Sequence, residues 1–320
     1  MPRRPPIPPG NDAQIHQFPV TPMTPGPAED PDRPPRRKPY VLAIGNQKGG
    51  VGKTTVTLGL AEAAAAAGLD VVVIDFDPQA NLTTALHPYA DSVQAGDLPS
   101  IESCLIRGGR ALVDVLYPSL WQGVRIAGAS DTLSGLEQYL INEENVSARV
   151  SSSQAGATPR LRLRRQIHEL DTDLVLIDLQ RSLSVQGTAG LLAADGVIGV
   201  TEPSTFSDRG LADLAVTVSS LSAFLGPDET PPQILGIVVN MVARTRESER
   251  VLEGLTTRWQ EKLWQPLIPQ RAVIKEAYSG YRTQLRDFGG AEANAAAEMF
   301  DAHLDNARTA LTNLAIDRHQ

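Results

Sequence analysis

Beyond its first 40 positions the chain is punctuated by six short apolar runs rich in β-branched residues, at 40–45, 71–75, 124–127, 174–178, 197–201 and 234–240. None alternates between apolar and polar positions. A strand that is apolar at every position is buried on both faces, the condition of a central strand in a parallel sheet. Between the runs lie longer stretches with helical spacing. The alternation predicts an α/β fold, a doubly wound, mostly parallel sheet with helices on both faces, formed by one domain over residues 40–320. Residues 1–39 break the pattern: they are dense in proline, carry Arg3, Arg4, Arg36 and Arg37 near their ends and offer little to bury, which predicts a disordered tail. Residues 145–159, rich in Ser, Ala and Gly, read as a surface loop.

Composition narrows the class. No apolar run reaches the roughly 18 residues of a membrane-spanning helix, and the N-terminus has no apolar block of the secretory kind, so a cytoplasmic protein is expected. The single cysteine, Cys104, excludes a disulfide framework or a cysteine-ligated cluster within one chain and reads as a buried, inert thiol. A net charge of −8 excludes a generally basic surface but leaves room for a local basic patch.

Directly after the first run stands Gly45-Asn46-Gln47-Lys48-Gly49-Gly50-Val51-Gly52-Lys53-Thr54-Thr55, which opens a helical stretch containing Leu58-Gly59-Leu60-Ala61. Glycines let the backbone wrap a phosphate with several N–H groups pointing inward, and the helix N-terminus adds its positive dipole. This is a P-loop for ATP and Mg²⁺: Gly49, Gly50, Val51, Gly52 and Thr55 supply the cradle, Lys53 neutralises the β- and γ-phosphates, and the Thr54 hydroxyl holds the metal. The second run ends in Asp75-Phe76-Asp77, two carboxylates spaced so that both can approach the same sheet edge. The fourth ends in Asp178, a Walker B carboxylate for the metal, direct or through water.

Gln47 replaces the first glycine of the general P-loop pattern, and a second lysine, Lys48, follows it. This combination resembles the deviant Walker A motif of the ParA/MinD family of P-loop ATPases, and the similarity runs from about Tyr40 to the last helical stretch. Residues 197–203 with Phe206 and Arg209-Gly210-Leu211 are similar to the family's next strand and switch-side helix. The resemblance implies that Lys48 reaches across a homodimer interface to the nucleotide of the other subunit. It implies that Asp77 orients the attacking water, that Asp75 lies nearer the magnesium shell, and that Asn240 and Pro269 contact the adenine. One departure is plain: members of the family follow the Walker B aspartate with a small residue and two prolines, whereas this chain reads Asp178-Leu179-Gln180-Arg181. Loss of those prolines removes a local stiffener and puts the hydrolysis rate in question.

Basic residues outnumber acidic ones between Arg244 and Arg286, which suits sequence-independent contact with DNA phosphates. By the resemblance, Arg244, Arg246 and Arg271 are the candidate contacts, and a centromere-binding protein of the ParB kind is the partner that stimulates hydrolysis. The expected function is ATP-dependent DNA partition. Two alternatives stand beside it: a MinD-like positioning ATPase, and a DNA-bound regulator that holds ATP with little turnover. A membrane partner is not expected, because the stretch 302–320 lacks aromatic residues in its final turns and reads as a packing helix.

Overall fold

The computed structural model describes residues 38–150, 159–181, 185–204, 207–226 and 229–317. Seven strands, β1 (Tyr40–Gly45), β2 (Val71–Phe76), β3 (Leu116–Pro118), β4 (Val124–Ala127), β5 (Leu174–Leu179), β6 (Gly196–Thr201) and β7 (Gln233–Val239), form one sheet in the order β3-β4-β2-β5-β1-β6-β7. All neighbouring pairs are parallel except β3 with β4. Six strands coincide with the six apolar runs, their ends moved by no more than one residue. β3 was not foreseen: three residues that are half-buried or exposed and end in proline give no readable period.

Alternation along each central strand divides the interior into two cores. Val41 and Ala43 pack with Leu136, Leu140, Leu191, Leu211 and Leu214 from the helices Leu133–Val150, Val185–Ala193 and Ser207–Ser220. Leu42 and Ile44 face the opposite core, built from the helices Lys53–Ala66 and Ala291–Asp317. The expected loop at 145–159 is corrected in its first part, since 145–150 finish the helix Leu133–Val150. That helix is anchored by ion pairs of Glu143 with Arg162 (2.7 Å) and Glu144 with Arg160 (2.5 Å). Residues 151–158, Phe206 and the expected tail as far as residue 37 lie outside the described residues.

The helix Lys53–Ala66 is apolar nearly all round and is correspondingly enclosed. It crosses Ala291–Asp317 so closely that a Cβ at Gly59 would stand 2.2 Å from the Phe300 ring. Its one buried acid, Glu62, is fully paired: its carboxylate accepts from Tyr278 Oη (2.9 Å), from the backbone N–H groups of Leu285 (2.9 Å) and Arg286 (3.0 Å), and from Arg286 Nη1 (3.1 Å). A buried carboxylate is tolerated only with such pairing. Together, the glycine contact and the Glu62 cluster fix the helix axis and hence the position of its N-terminus at the C-terminal edge of the sheet. There the register sets Asp75 beside Asp178 and Ile44 beside Asp178.

Gly59→Ala should therefore cost about 1–3 kcal/mol through overpacking. Urea denaturation should show a lowered midpoint, largely restored by adding Phe300→Leu; an unchanged midpoint in the single variant would contradict the contact.

Candidate active site

The loop between β1 and the helix Lys53–Ala66 is held from three sides. Asn46, almost fully buried, donates from Nδ2 to the Val200 carbonyl (2.7 Å), and its Oδ1 accepts from the Lys48 amide (2.8 Å). Val51 is buried in the core, and its carbonyl accepts from Asn240 Nδ2 (3.2 Å). Gly50 and Gly52 take positive φ angles of 80° and 86°, a region that L side chains rarely adopt. At Gly52 the need for glycine is doubled, because a Cβ would come within 2.1 Å of Asn240 Nδ2. Gly52 is also the N-cap of the helix and offers no side-chain acceptor, so the first-turn N–H groups keep their capacity for an anion.

A cleft of about 700 Å³ opens above this loop, lined by Gly49, Gly50, Gly52, Lys53, Thr54 and Thr55, and on its other walls by Asp77, Arg181 and Ser279. Lys53 is buried, and its pKa is lowered by desolvation, opposed by the charges of Asp178 and Asp77. Thr54 Oγ1 donates to Asp178 Oδ2 (2.6 Å), and Thr57 Oγ1 reaches Asp178 Oδ1 at 3.3 Å. Burial pushes Asp178 up to about 7, with the neighbouring Asp75 charge adding to the rise. A hydroxyl and a single carboxylate form a hard-oxygen pair of the kind that suits Mg²⁺, which takes one or two carboxylates and fills its remaining positions with water and phosphate oxygens.

Asp75 stands beside Asp178 in the strand register, with its carboxylate held by neighbouring groups. Its Oδ2 accepts from the Thr83 amide and hydroxyl (both 2.7 Å) and its Oδ1 from the Asp77 amide (3.2 Å), so the carboxylate is turned into the Asp77–Thr83 segment and does not line the cleft. Desolvation raises it to about 7. Asp77 does line the cleft, fixed by the contact of its Oδ1 with the Gln79 amide (2.9 Å). Asn240 and Pro269, expected at the adenine, lie beside the P-loop side of the sheet edge: Asn240 Nδ2 donates to the Val51 carbonyl (3.2 Å) and Pro269 pairs with Val242 in a short bridge.

Lys48 turns away from its own cleft. Its Nζ donates to Glu202 Oε1 (2.7 Å) and to Ser204 Oγ, both just beyond β6. Neither acceptor was foreseen, because the pairing spans about 150 residues and only the folded sheet brings β1 and β6 together. Ser279 was likewise missed; it arrives on the turn Glu276–Tyr281, which has no motif.

Part of the basic stretch is committed to partners within the chain. Arg258 pairs with Asp208, Lys262 donates to the Ile234 carbonyl (2.8 Å), Arg282 donates to the carbonyls of His87 (2.5 Å) and Ala85 (3.4 Å), and Arg286 pairs with Glu62 and Asp301. Arg244, Arg246 and Arg271 have no carboxylate partner among the described residues. The bridge between Val242 and Pro269 brings the turn bearing Arg244 and Arg246 beside the segment bearing Arg271; the first two are exposed and Arg271 is half-buried. Cys104 is buried, and desolvation pushes its thiol up to about 12, consistent with an inert core residue.

Comparison with known proteins agrees with this geometry. A family model described as an AAA domain matches residues 40–227. The chain is 30% identical over 249 residues to the chromosome-partitioning ATPase Soj of Thermus thermophilus, covering 78% of this chain and 88% of that protein. It is 31% identical over 246 residues to the chromosome partitioning protein ParA of Caulobacter vibrioides, covering 75% and 84%. Among solved structures, cobyrinic acid a,c-diamide synthase from Mycobacterium smegmatis, with an ATP analogue and magnesium bound to it, matches with a TM-score of 0.64 at 26% identity over 83% of this chain and 93% of that one. The P-loop with its additional lysine, the Walker B strand and these relatives together establish that the chain belongs to the ParA family of P-loop ATPases.

Proposed function

We propose that this protein is an ATP-dependent DNA-partition ATPase: ATP and Mg²⁺ close a sandwich homodimer, the dimer binds DNA without sequence preference, and a ParB-like centromere-binding protein stimulates hydrolysis and release. The observation that carries the reading is the orientation of Lys48. A P-loop lysine that does not line its own cleft, and is tethered only by partly exposed Glu202 and Ser204, is available to a nucleotide held by another copy of the chain. Two ATP molecules pressed together across an interface need such added cations.

Within one subunit the N–H groups of the loop and Lys53 hold the β- and γ-phosphates. Mg²⁺ would be held by Thr54 and Asp178, where it supplies charge neutralisation between the β- and γ-phosphates. Asp77 orients the attacking water from the cleft wall. Asp75 is assigned a supporting part, since its carboxylate anchors the turn that carries Asp77. Arg244, Arg246 and Arg271 form the DNA-phosphate surface, a reading supported by their lack of carboxylate partners among the described residues where Arg258 and Arg286 of the same region are paired with carboxylates. Action at the nucleoid in the cytoplasm follows from DNA as the track. No helix among the described residues is long and apolar enough to cross a membrane, and Ala291–Asp317 buries Ala293, Ala297, Phe300 and Leu304 against the Lys53–Ala66 side, which disfavours the MinD-like alternative. A second reading, a DNA-bound regulator that holds ATP with little turnover, is favoured by Gln180-Arg181 in place of the family's prolines. Steady-state hydrolysis with DNA and the partner protein separates it from a cycling ATPase.

Three outcomes are expected. In sedimentation with a non-hydrolysable ATP analogue, Lys48→Ala should stay monomeric while still binding the analogue in titration; a normal ATP-dependent dimer would sink the trans role. Asp77→Ala should lower turnover by about 100-fold or more with nucleotide affinity little changed; a wild-type rate would remove Asp77 from the mechanism. Alanine at Arg244, Arg246 or Arg271 should weaken DNA binding uniformly across sequences and reduce the slope of log K against log salt by about 1 for each phosphate no longer engaged. An unchanged slope in all three would move the surface elsewhere.

A further inference from the structure

The cleft contains a cation that the mechanism has not used. Arg181 stands three residues beyond Asp178, just past the end of β5, and its side chain runs across the P-loop: a Cβ placed on Gly49 would lie 3.3 Å from Arg181 Cδ and 3.6 Å from Arg181 Nη1. It lines the same cleft as Lys53 and Thr54, is exposed to solvent, and has no carboxylate partner among the described residues. Its charge is near enough to Lys53 to oppose protonation there, although burial is the larger cause and Asp178 and Asp77 act in the other direction. Two cations directed into one cleft repel each other until an anion enters between them, so the arrangement is favourable only around a ligand of several negative charges. A guanidinium offers planar paired donors that match phosphate oxygens. Lys48, the loop's other spare cation, is engaged by Glu202 and Ser204 and does not compete for this place.

We infer that Arg181 is a phosphate-binding residue that acts in cis, its guanidinium engaging the terminal phosphate of the triphosphate held by its own subunit. The assignment rests on the ATP reading of the cleft. The terminal phosphate is indicated because Asp178, with Thr54, would hold the metal of the bound triphosphate, and Arg181, just beyond the same strand, extends past it over Gly49, at the end of the loop away from the helix. Arg181 then gives a single subunit its preference for triphosphate over diphosphate before any partner subunit contributes Lys48. Gly49 serves the same purpose, since any side chain there would press on the arginine.

The test is calorimetric titration of Mg²⁺ with a non-hydrolysable ATP analogue, and of Mg²⁺ with ADP, into the full chain carrying Lys48→Ala, which removes the contribution of dimer closure, with and without Arg181→Ala or Arg181→Lys. Arg181→Ala should weaken analogue binding by about 10- to 100-fold, the range for hydrogen bonds to charged groups, while ADP affinity changes by less than about threefold. Arg181→Lys should fall between. Equal analogue affinity with and without Arg181, or equal losses for both nucleotides, would overturn the assignment while leaving the ATP reading intact. A loss of DNA binding with both nucleotide affinities unchanged would also overturn it and move Arg181 to the DNA surface. Failure of the wild-type chain to bind either nucleotide would overturn the ATP reading together with this inference.

Discussion

Everything at the site depends on compensating charge where the helix Lys53–Ala66 begins. That N-terminus is buried at the sheet edge, carries an embedded lysine, and faces the buried carboxylate of Asp178, with Asp75 buried beside Asp178 on the adjacent strand. The three groups are a compromise. Burial lowers the pKa of Lys53 and raises both acids to about 7, so the charged forms of all three are disfavoured. A polyphosphate with its divalent ion relieves the strain from both sides, giving Lys53 an anion and Asp178 a cation. Glu62, Gly59 and Phe300 matter to this chemistry although they lie along the helix away from its first turn, because they set where that turn points.

The same reasoning bears on the proposed ATP-dependent pairing of two chains. Lys48 and Glu202 form a partly exposed ion pair, and pairs of that kind contribute about 0–1 kcal/mol. Releasing the lysine is therefore inexpensive relative to engaging a phosphate across an interface. In the proposed cycle the resting pair keeps Lys48 ordered near the loop without blocking the cleft.

Much of this was legible in the sequence, for physical reasons that can be named. Buried parallel strands must be apolar at every position, so six of the seven were bounded to within a residue, and β3 escaped because three half-exposed residues carry no period. The P-loop was legible because backbone wrapping of a phosphate demands glycine at fixed spacing. What could not be read were contacts made only by folding. Asp75 and Asp77 share one strand end, yet Thr83 turns the first inward and leaves the second in the cleft. The donation of Asn240 to the Val51 carbonyl, which braces the P-loop, was not legible either. The excess of basic residues between Arg244 and Arg286 looked like one surface, but Arg286 is committed to Glu62 and Asp301, and Arg282 to backbone carbonyls.

A buried lysine at the start of this helix is what makes the cleft a triphosphate site. Lys53→Ala tests it most directly, in calorimetric titration with Mg²⁺ and a non-hydrolysable ATP analogue alongside circular dichroism to verify the fold. The spectrum should be intact and analogue affinity reduced by about 100-fold or more, the scale expected when a charge-assisted partner of a buried anion is removed. A folded Lys53→Ala protein that binds the analogue as tightly as the wild type would contradict it.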